Sequence, residues 1–328
     1  VTLARRFIIH HSSFIILLAL LASCANLHLP APDEDAVEVR IRPGQSTRAI
    51  ADSLKAGGVI ASTFEFRALA RLTGLHGRLR SGLYRFRPGT EEIAVLLALT
   101  RGGRTSAMVT IPEGWTMQQV AAELDRRGIC PAPEFLAACT RPDLLKNLDV
   151  EGASAEGYLY PETYDFTIEC DPADVIRRMV AQLGVAWAEV AGLEAGPVPP
   201  YRTLILASIV EREAERPDEF PTVASVFANR LKRRMPLQSC ATVEYVLPER
   251  KPVLTYADTR FDSPYNTYLH PGLPPGPISN PGRRALAAAF HPAETNYLYF
   301  FSKGDGSHVF SATWAEHQTA QRRIRRGG

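Results

Sequence analysis

The chain has 328 residues, 45% of them hydrophobic, and a formal net charge of +2 from 37 basic and 35 acidic residues. That length holds two or three domains with substantial cores and excludes a wholly disordered chain. It shows no overall basic excess of the kind nucleic-acid binding needs. Cysteines stand at Cys24, Cys130, Cys139, Cys170 and Cys240 with no CxxC pair, and no His/Asp/Cys cluster has ligand spacing, so no metal or organic cofactor is expected. Whether Cys130 and Cys139 pair in an oxidising compartment is left open by the sequence.

Residues 1–30 read as an address. Arg5 and Arg6 precede the apolar run Phe14–Ala22, a charged segment followed by a signal-type core. The arginines predict a cytoplasmic N-terminus with the bulk of the chain exported. Two fates are open: an uncleaved single-pass anchor, or a lipoprotein lipidated at Cys24 of the lipobox-like Leu21-Ala22-Ser23-Cys24. The Pro- and acid-rich stretch 31–36 reads as a linker.

Two segments then repeat. Ile41-Arg42-Pro43-Gly44-Gln45-Ser46 leads into Ile50, Ala51, Leu54 and Gly58, and Ile111-Pro112-Glu113-Gly114-Trp115-Thr116 leads into Val120, Ala121, Leu124 and Gly128. Each reads as strand, glycine turn, Ser or Thr N-cap and amphipathic helix, closed by a glycine. Between them the pattern predicts a helix over Thr63–Leu72, a strand over Gly82–Phe86 and a helix over Thr90–Thr100. The unit 37–102 therefore has strand-helix-helix-strand character and resembles a LysM-like module, a fold associated with N-acetylglucosamine polymers.

A connecting α+β segment, 103–142, precedes a larger domain, 143–328. There Glu156–Tyr164 reads as an aromatic, carboxylate-bearing loop. Helices are predicted over Asp171–Val190, Tyr201–Glu213 and Asp218–Arg234. An irregular Pro/Gly stretch, Phe261–Pro281, follows. The end reads as a helix (Arg283–Phe290), a strand (Tyr297–Ser302), a glycine turn, a strand (His308–Ser311) and a closing helix (Trp314–Arg325). The expected fold class is α+β.

The apolar run Leu204–Val210 ends at Glu211, with Glu213 and Glu215 beyond. A carboxyl at the end of a buried helix loses water, its charged form is disfavoured, and its pKa rises toward the range of a general acid. Periodicity alone does not choose between Glu211 and Glu213, since each has apolar residues three, four and seven positions before it.

Several motifs in register carry a resemblance. They are Glu156–Tyr164 (EGYLYPETY), Leu206–Glu213 (LASIVERE), Val223–Leu231 (VASVFANRL), Leu237-Gln238, Tyr265–Tyr268 (YNTY) and Gly272–Ile278 (GLPPGPI). Together they resemble the endolytic murein transglycosylase (YceG-like) family. The resemblance implies an α+β catalytic domain in which Glu211 is the catalytic acid, cutting the β-1,4 bond from N-acetylmuramic acid to N-acetylglucosamine with formation of 1,6-anhydro ends. A lone carboxyl suffices because the substrate's own C6 hydroxyl replaces the second carboxylate of ordinary glycosidases. Candidate substrate-binding residues are Glu156, Tyr164, Asn229, Gln238, Tyr265, Asn266 and Tyr268. The implied partners are peptidoglycan strands, the inner membrane and cell-wall synthases, with the catalytic domain in the periplasm. The family commonly has Asp-Pro where this chain has Cys240-Ala241. A non-catalytic peptidoglycan-binding scaffold and a water-using muramidase are the alternatives. A thiol nucleophile built from Cys240 with His270 or His291 has no Cys–His signature behind it.

Overall fold

A computed structural model describes residues 36–194, 197–249, 251 and 254–327. The expected leader, Cys24 and nearly all of the linker lie outside the described residues. Among the described residues no helix is long and apolar enough to cross a membrane. Two compact units divide between Arg104 and Thr105, each with its own hydrophobic core, and both are mixtures of helix and strand.

In the smaller unit, strand β1 (Val37–Ile41) pairs antiparallel with β2 (Gly82–Phe86), Val39 opposite Tyr84. Helices α1 (Thr47–Ala56) and α2 (Thr63–Leu72) lie between them in sequence, and α3 (Glu92–Arg101) follows. The Ser46 and Ser62 hydroxyls accept the Ala49 and Glu65 amides and so satisfy donors that a helix start leaves unpaired. Ile50, Leu54, Phe66, Leu96 and Leu99 close the core between the strands and helices.

The larger unit begins with β3 (Ser106–Thr110), antiparallel to β4 (Thr163–Thr167) with Val109 opposite Tyr164. Helices α4 (Met117–Arg126), α5 (Ala132–Ala138) and α6 (Pro142–Asn147) lie between these strands in sequence. The segment 103–142, read from sequence as a connection, contributes Val109, Leu124 and Phe135 to the same core as the later helices. The segment expected to be a loop is corrected at its end: Thr163 and Tyr164 open β4. Their cross-strand partners on β3 are far away in sequence, which a local pattern does not show.

The two repeated segments fold alike. Thr116 and Gln119 form a reciprocal capping box at the start of α4. Gly58 and Gly128 both adopt a positive φ, at 69° and 72°. Just beyond them the Val59 and Ile129 amides return to the Leu54 and Leu124 carbonyls at 2.9 Å, the six-to-one closure of a glycine-terminated helix.

Then come α7 (Pro172–Ala191), α8 (Tyr201–Glu213), α9 (Phe220–Lys232), α10 (Cys240–Glu244), α11 (Arg283–Phe290), the antiparallel pair β5 (Tyr299–Ser302) and β6 (His308–Ser311), and α12 (Trp314–Gly327). Every residue from Leu204 to Val210 is buried. A helix apolar on all sides needs neighbours on all sides, and α8 has α9, α10 and α11 packed against it. Each of its Leu, Ile and Val side chains contributes at most roughly 1.5–3 kcal/mol by leaving water. This central helix is the rigid base from which Glu211 projects. Cys130 and Cys139 are buried free thiols; no disulfide joins them.

Candidate active site

Three segments meet at the C-terminal end of α8. Ser208, fully buried, fixes the first. Its hydroxyl donates to the Ile205 carbonyl and accepts the Ile278 amide at 3.0 Å, while its own carbonyl accepts the Ser279 hydroxyl. The Pro/Gly run is thereby laid along the helix, with the Tyr201 hydroxyl donating to the Pro275 carbonyl at 2.9 Å. The second segment is the turn after β3. The Gly114 amide donates to the Asn280 carbonyl, and the Asn280 amide donates back to the Trp115 carbonyl. The third is the loop 238–241, which Glu213 holds by accepting from the Ser239 hydroxyl and the Ala241 amide.

Glu211 lies between the first two. Its Oε2 accepts the Gly282 amide at 2.9 Å. Gly282 is the residue just before α11, so the carboxyl faces that helix's positive end. Among the described hydrogen bonds, Oε1 has no protein partner. Burial pushes the Glu211 pKa up to about 7; the Gly282 amide opposes this, Glu113 adds to it, and Arg284 and Arg212 pull it down. Glu213 is also raised, first by burial and against the Ser239 bond. The two carboxyls face different loops, as residues two apart on a helix must.

Glu113 is a functional candidate that sequence reading did not single out. A methyl group on Gly282 would overlap its carboxyl, so Glu113 and Glu211 converge on one glycine. Its position in the Ile111–Gly114 turn that opens the second repeated segment was visible, but its pairing with a residue 98 positions later is a product of the fold.

The sequence-predicted binding residues separate into two groups. Glu156 is 2% exposed and accepts the Met117 amide, the Tyr245 hydroxyl and the Asn280 side-chain amide; burial raises its pKa to about 7, opposed by the Met117 and Tyr245 bonds. Tyr164 is 3% exposed and donates to the Tyr160 carbonyl. Asn266 is 0% exposed and donates to the Thr259 and Phe261 carbonyls. All three were expected to contact sugar; here they are buried and their polar atoms are turned to protein groups. Asn229 spends its amide on the Thr295 and Tyr297 carbonyls.

Gln238, Tyr265 and Tyr268 keep accessible surface. Gln238 accepts from Arg230, Tyr265 packs on Tyr245, and the Tyr268 hydroxyl lies 3.1 Å from Cys240 Sγ. That hydroxyl is the partner the structure gives Cys240, and burial raises the thiol's pKa, the opposite of an activated nucleophile. A cleft of about 230 Å³ opens over Thr116, Gln119, Arg212, Glu244, Tyr245 and Ile278. Glu211 does not line it, but the next residue, Arg212, does. Among the described residues no His/Cys/Asp/Glu group is arranged to hold a metal.

The chain is similar to known proteins over most of its length. The YceG-like family matches residues 39–323. The chain is 34% identical over 306 residues to the endolytic murein transglycosylase of Bacillus subtilis (strain 168), covering 87% of this chain and 84% of that protein. It is 28% identical over 345 residues to the endolytic murein transglycosylase of Streptococcus pneumoniae (strain R6), covering 92% of this chain but only 62% of that longer protein. A crystal structure of a YceG-like protein from Listeria monocytogenes superposes with a TM-score of 0.59 at 29% identity, covering 88% of this chain and 99% of that one. The chain belongs to the YceG-like family.

Proposed function

We propose that this protein is an endolytic lytic transglycosylase of peptidoglycan, with Glu211 as its single acid and base. The names of the Bacillus and Streptococcus relatives support the substrate and the reaction class. The observation that carries the assignment to Glu211 is its carboxyl: half-buried, its pKa pushed up to about 7, one oxygen pinned by Gly282 and the other without a protein partner among the described residues. A group with that pKa is protonated often enough at neutral pH to donate, and basic enough afterwards to accept.

In this mechanism protonated Glu211 gives its proton to the glycosidic oxygen as the bond to muramic C1 breaks. The carboxylate then takes the proton from the C6 hydroxyl as that oxygen bonds to C1. The products are a 1,6-anhydro end and a free N-acetylglucosamine 4-hydroxyl, with no water consumed. Gln238, Tyr265 and Tyr268 are the proposed sugar contacts, the aromatic rings bordering apolar sugar faces. The smaller unit has the strand-helix-helix-strand order of a LysM-like module and is proposed to hold glycan. The leader is proposed to place the chain at the inner membrane as a single-pass anchor, or through a lipid on Cys24, with the catalytic unit in the periplasm beside cell-wall synthases.

A second reading is hydrolysis by water. Glu113 favours it, since a second carboxylate beside Glu211 is what a water-using glycosidase requires. Digestion of uncrosslinked glycan strands followed by mass spectrometry decides between them. Anhydro products, one water lighter than reducing ends and absent with Glu211→Gln, support the transglycosylase. Reducing ends support hydrolysis. Equal product from wild type and Glu211→Gln removes Glu211 from the chemistry, and no product from either leaves a non-catalytic scaffold.

A further inference from the structure

The net charge of +2 conceals a partition. Residues 36–104 carry twelve Lys and Arg against five Asp and Glu, net +7, while residues 105–328 carry 23 against 27, net −4. Asymmetry of this kind within one chain points to an anionic partner for the basic part.

Exposed apolar side chains accompany the basic ones. Phe64 is 77% and Leu72 is 87% exposed, the two most exposed large apolar side chains among the described residues. Both lie on α2, whose opposite face, Phe66 and Ala70, is fully buried. By helical spacing Arg67 and Arg71 share the outer face with Phe64. A groove of about 580 Å³ separates this face from the start of α1, lined by Arg48, Phe64, Arg67, Arg71, Leu72 and His76. The one carboxylate on α2, Glu65, stands at the edge of this face and interacts with Glu92 of α3.

We infer that the outer face of α2 docks on an anionic phospholipid surface. Phe64 and Leu72 enter the headgroup region, and Arg48, Arg67 and Arg71 lie along it with their guanidinium groups at the phosphates. Charge complementarity chooses the sign of the partner. The exposed Phe and Leu choose a lipid surface over a soluble polyanion: a single-stranded nucleic acid would be met by several stacking aromatics, and α2 presents one on this face. In the membrane-anchored reading, the six-residue linker reaches at most about 20 Å. That keeps the smaller unit, which begins at Val37, close to the bilayer.

The test uses residues 36–328, which contain both hydrophobic cores of the described residues. This chain is sedimented with vesicles of phosphatidylcholine alone or mixed with phosphatidylglycerol. Binding is expected only to the mixed vesicles and is weakened by salt. The double substitution R67E/R71E is expected to lower affinity by about tenfold or more, each basic residue near an anionic surface being worth about fivefold. F64S/L72S weakens binding as well, with unchanged circular dichroism. Equal binding to both vesicle types overturns the inference. So does an unchanged R67E/R71E, binding to single-stranded DNA without binding to vesicles, or displacement from vesicles by N-acetylglucosamine oligomers. At saturating soluble glycan strands the kcat of R67E/R71E should match wild type, because the proposed acid Glu211 lies in the larger unit, which keeps this result separate from the catalytic reading.

Discussion

The Gly282 amide donates to Glu211 Oε2 at 2.9 Å, and the same glycine leaves no room for a side chain beside the Glu113 carboxyl. One backbone position thus orients the candidate acid and admits a second negative charge next to it. Replacing Gly282 with Ala forces Glu113 away and disturbs the α11 start. The expected result is a strong fall in kcat together with a loss of about 1–3 kcal/mol of stability from overpacking. Glycan-strand turnover and urea denaturation of the same variant check both.

The pH profile follows from the raised pKa. Glu211 acts first as an acid, so kcat/KM is expected to fall as pH rises through about 7. Glu113 adds to the upward shift by charge, so Glu113→Gln should move this alkaline limb to lower pH. A limb that stays in place in Glu113→Gln removes Glu113 from the electrostatics of the site. The comparison is a pH series of initial rates for the two proteins.

Glu156 gives a stability prediction of defined sign. Its folded pKa of about 7 lies above the unfolded carboxyl value. Between those two values the folded state holds the proton and the unfolded state does not, so stability falls as pH rises through that window. Below the unfolded pKa the penalty vanishes; above about 7 it is complete, at roughly 3 kcal/mol for a shift of this size. Glu156→Gln keeps an acceptor for the Met117 amide and should flatten this part of the stability-versus-pH curve. Urea melts from pH 4 to pH 8 measure the slope.

Much of this organisation was legible in the sequence because it is local. Ser46, Thr116, Gly58 and Gly128 announced two helices by their ends, and the uniformly apolar run before Glu211 announced a central one. What was illegible is set by distant chain segments. Strand β4 was hidden because its register depends on β3, over 50 residues earlier. Helices α5 and α6, at seven and six residues, are too short for periodicity to reveal. Asn266 and Glu156 looked like sugar ligands because polar residues in loop-like motifs usually face water; here they tie loops together from inside. The basic character of residues 36–104 was masked by averaging over the whole chain.

The Cys240 thiol, at a position where the motif resemblance leads one to expect a carboxylate, meets the Tyr268 hydroxyl 3.1 Å away. Burial raises its pKa first, with Glu213 and Glu244 adding to the shift by charge and the Tyr268 bond opposing it. At neutral pH the sulfur is therefore a thiol, a poor nucleophile. Cys240→Ala should keep most of the wild-type turnover, and iodoacetamide at pH 7 should leave activity unchanged. The small loss expected is that of the tyrosine contact, a shift in KM through the mobility of Tyr268 with kcat intact. A collapse of kcat in Cys240→Ala would instead place sulfur in the chemistry and displace Glu211 from its sole role. Mass spectrometry for a covalent glycan–cysteine adduct would show that directly.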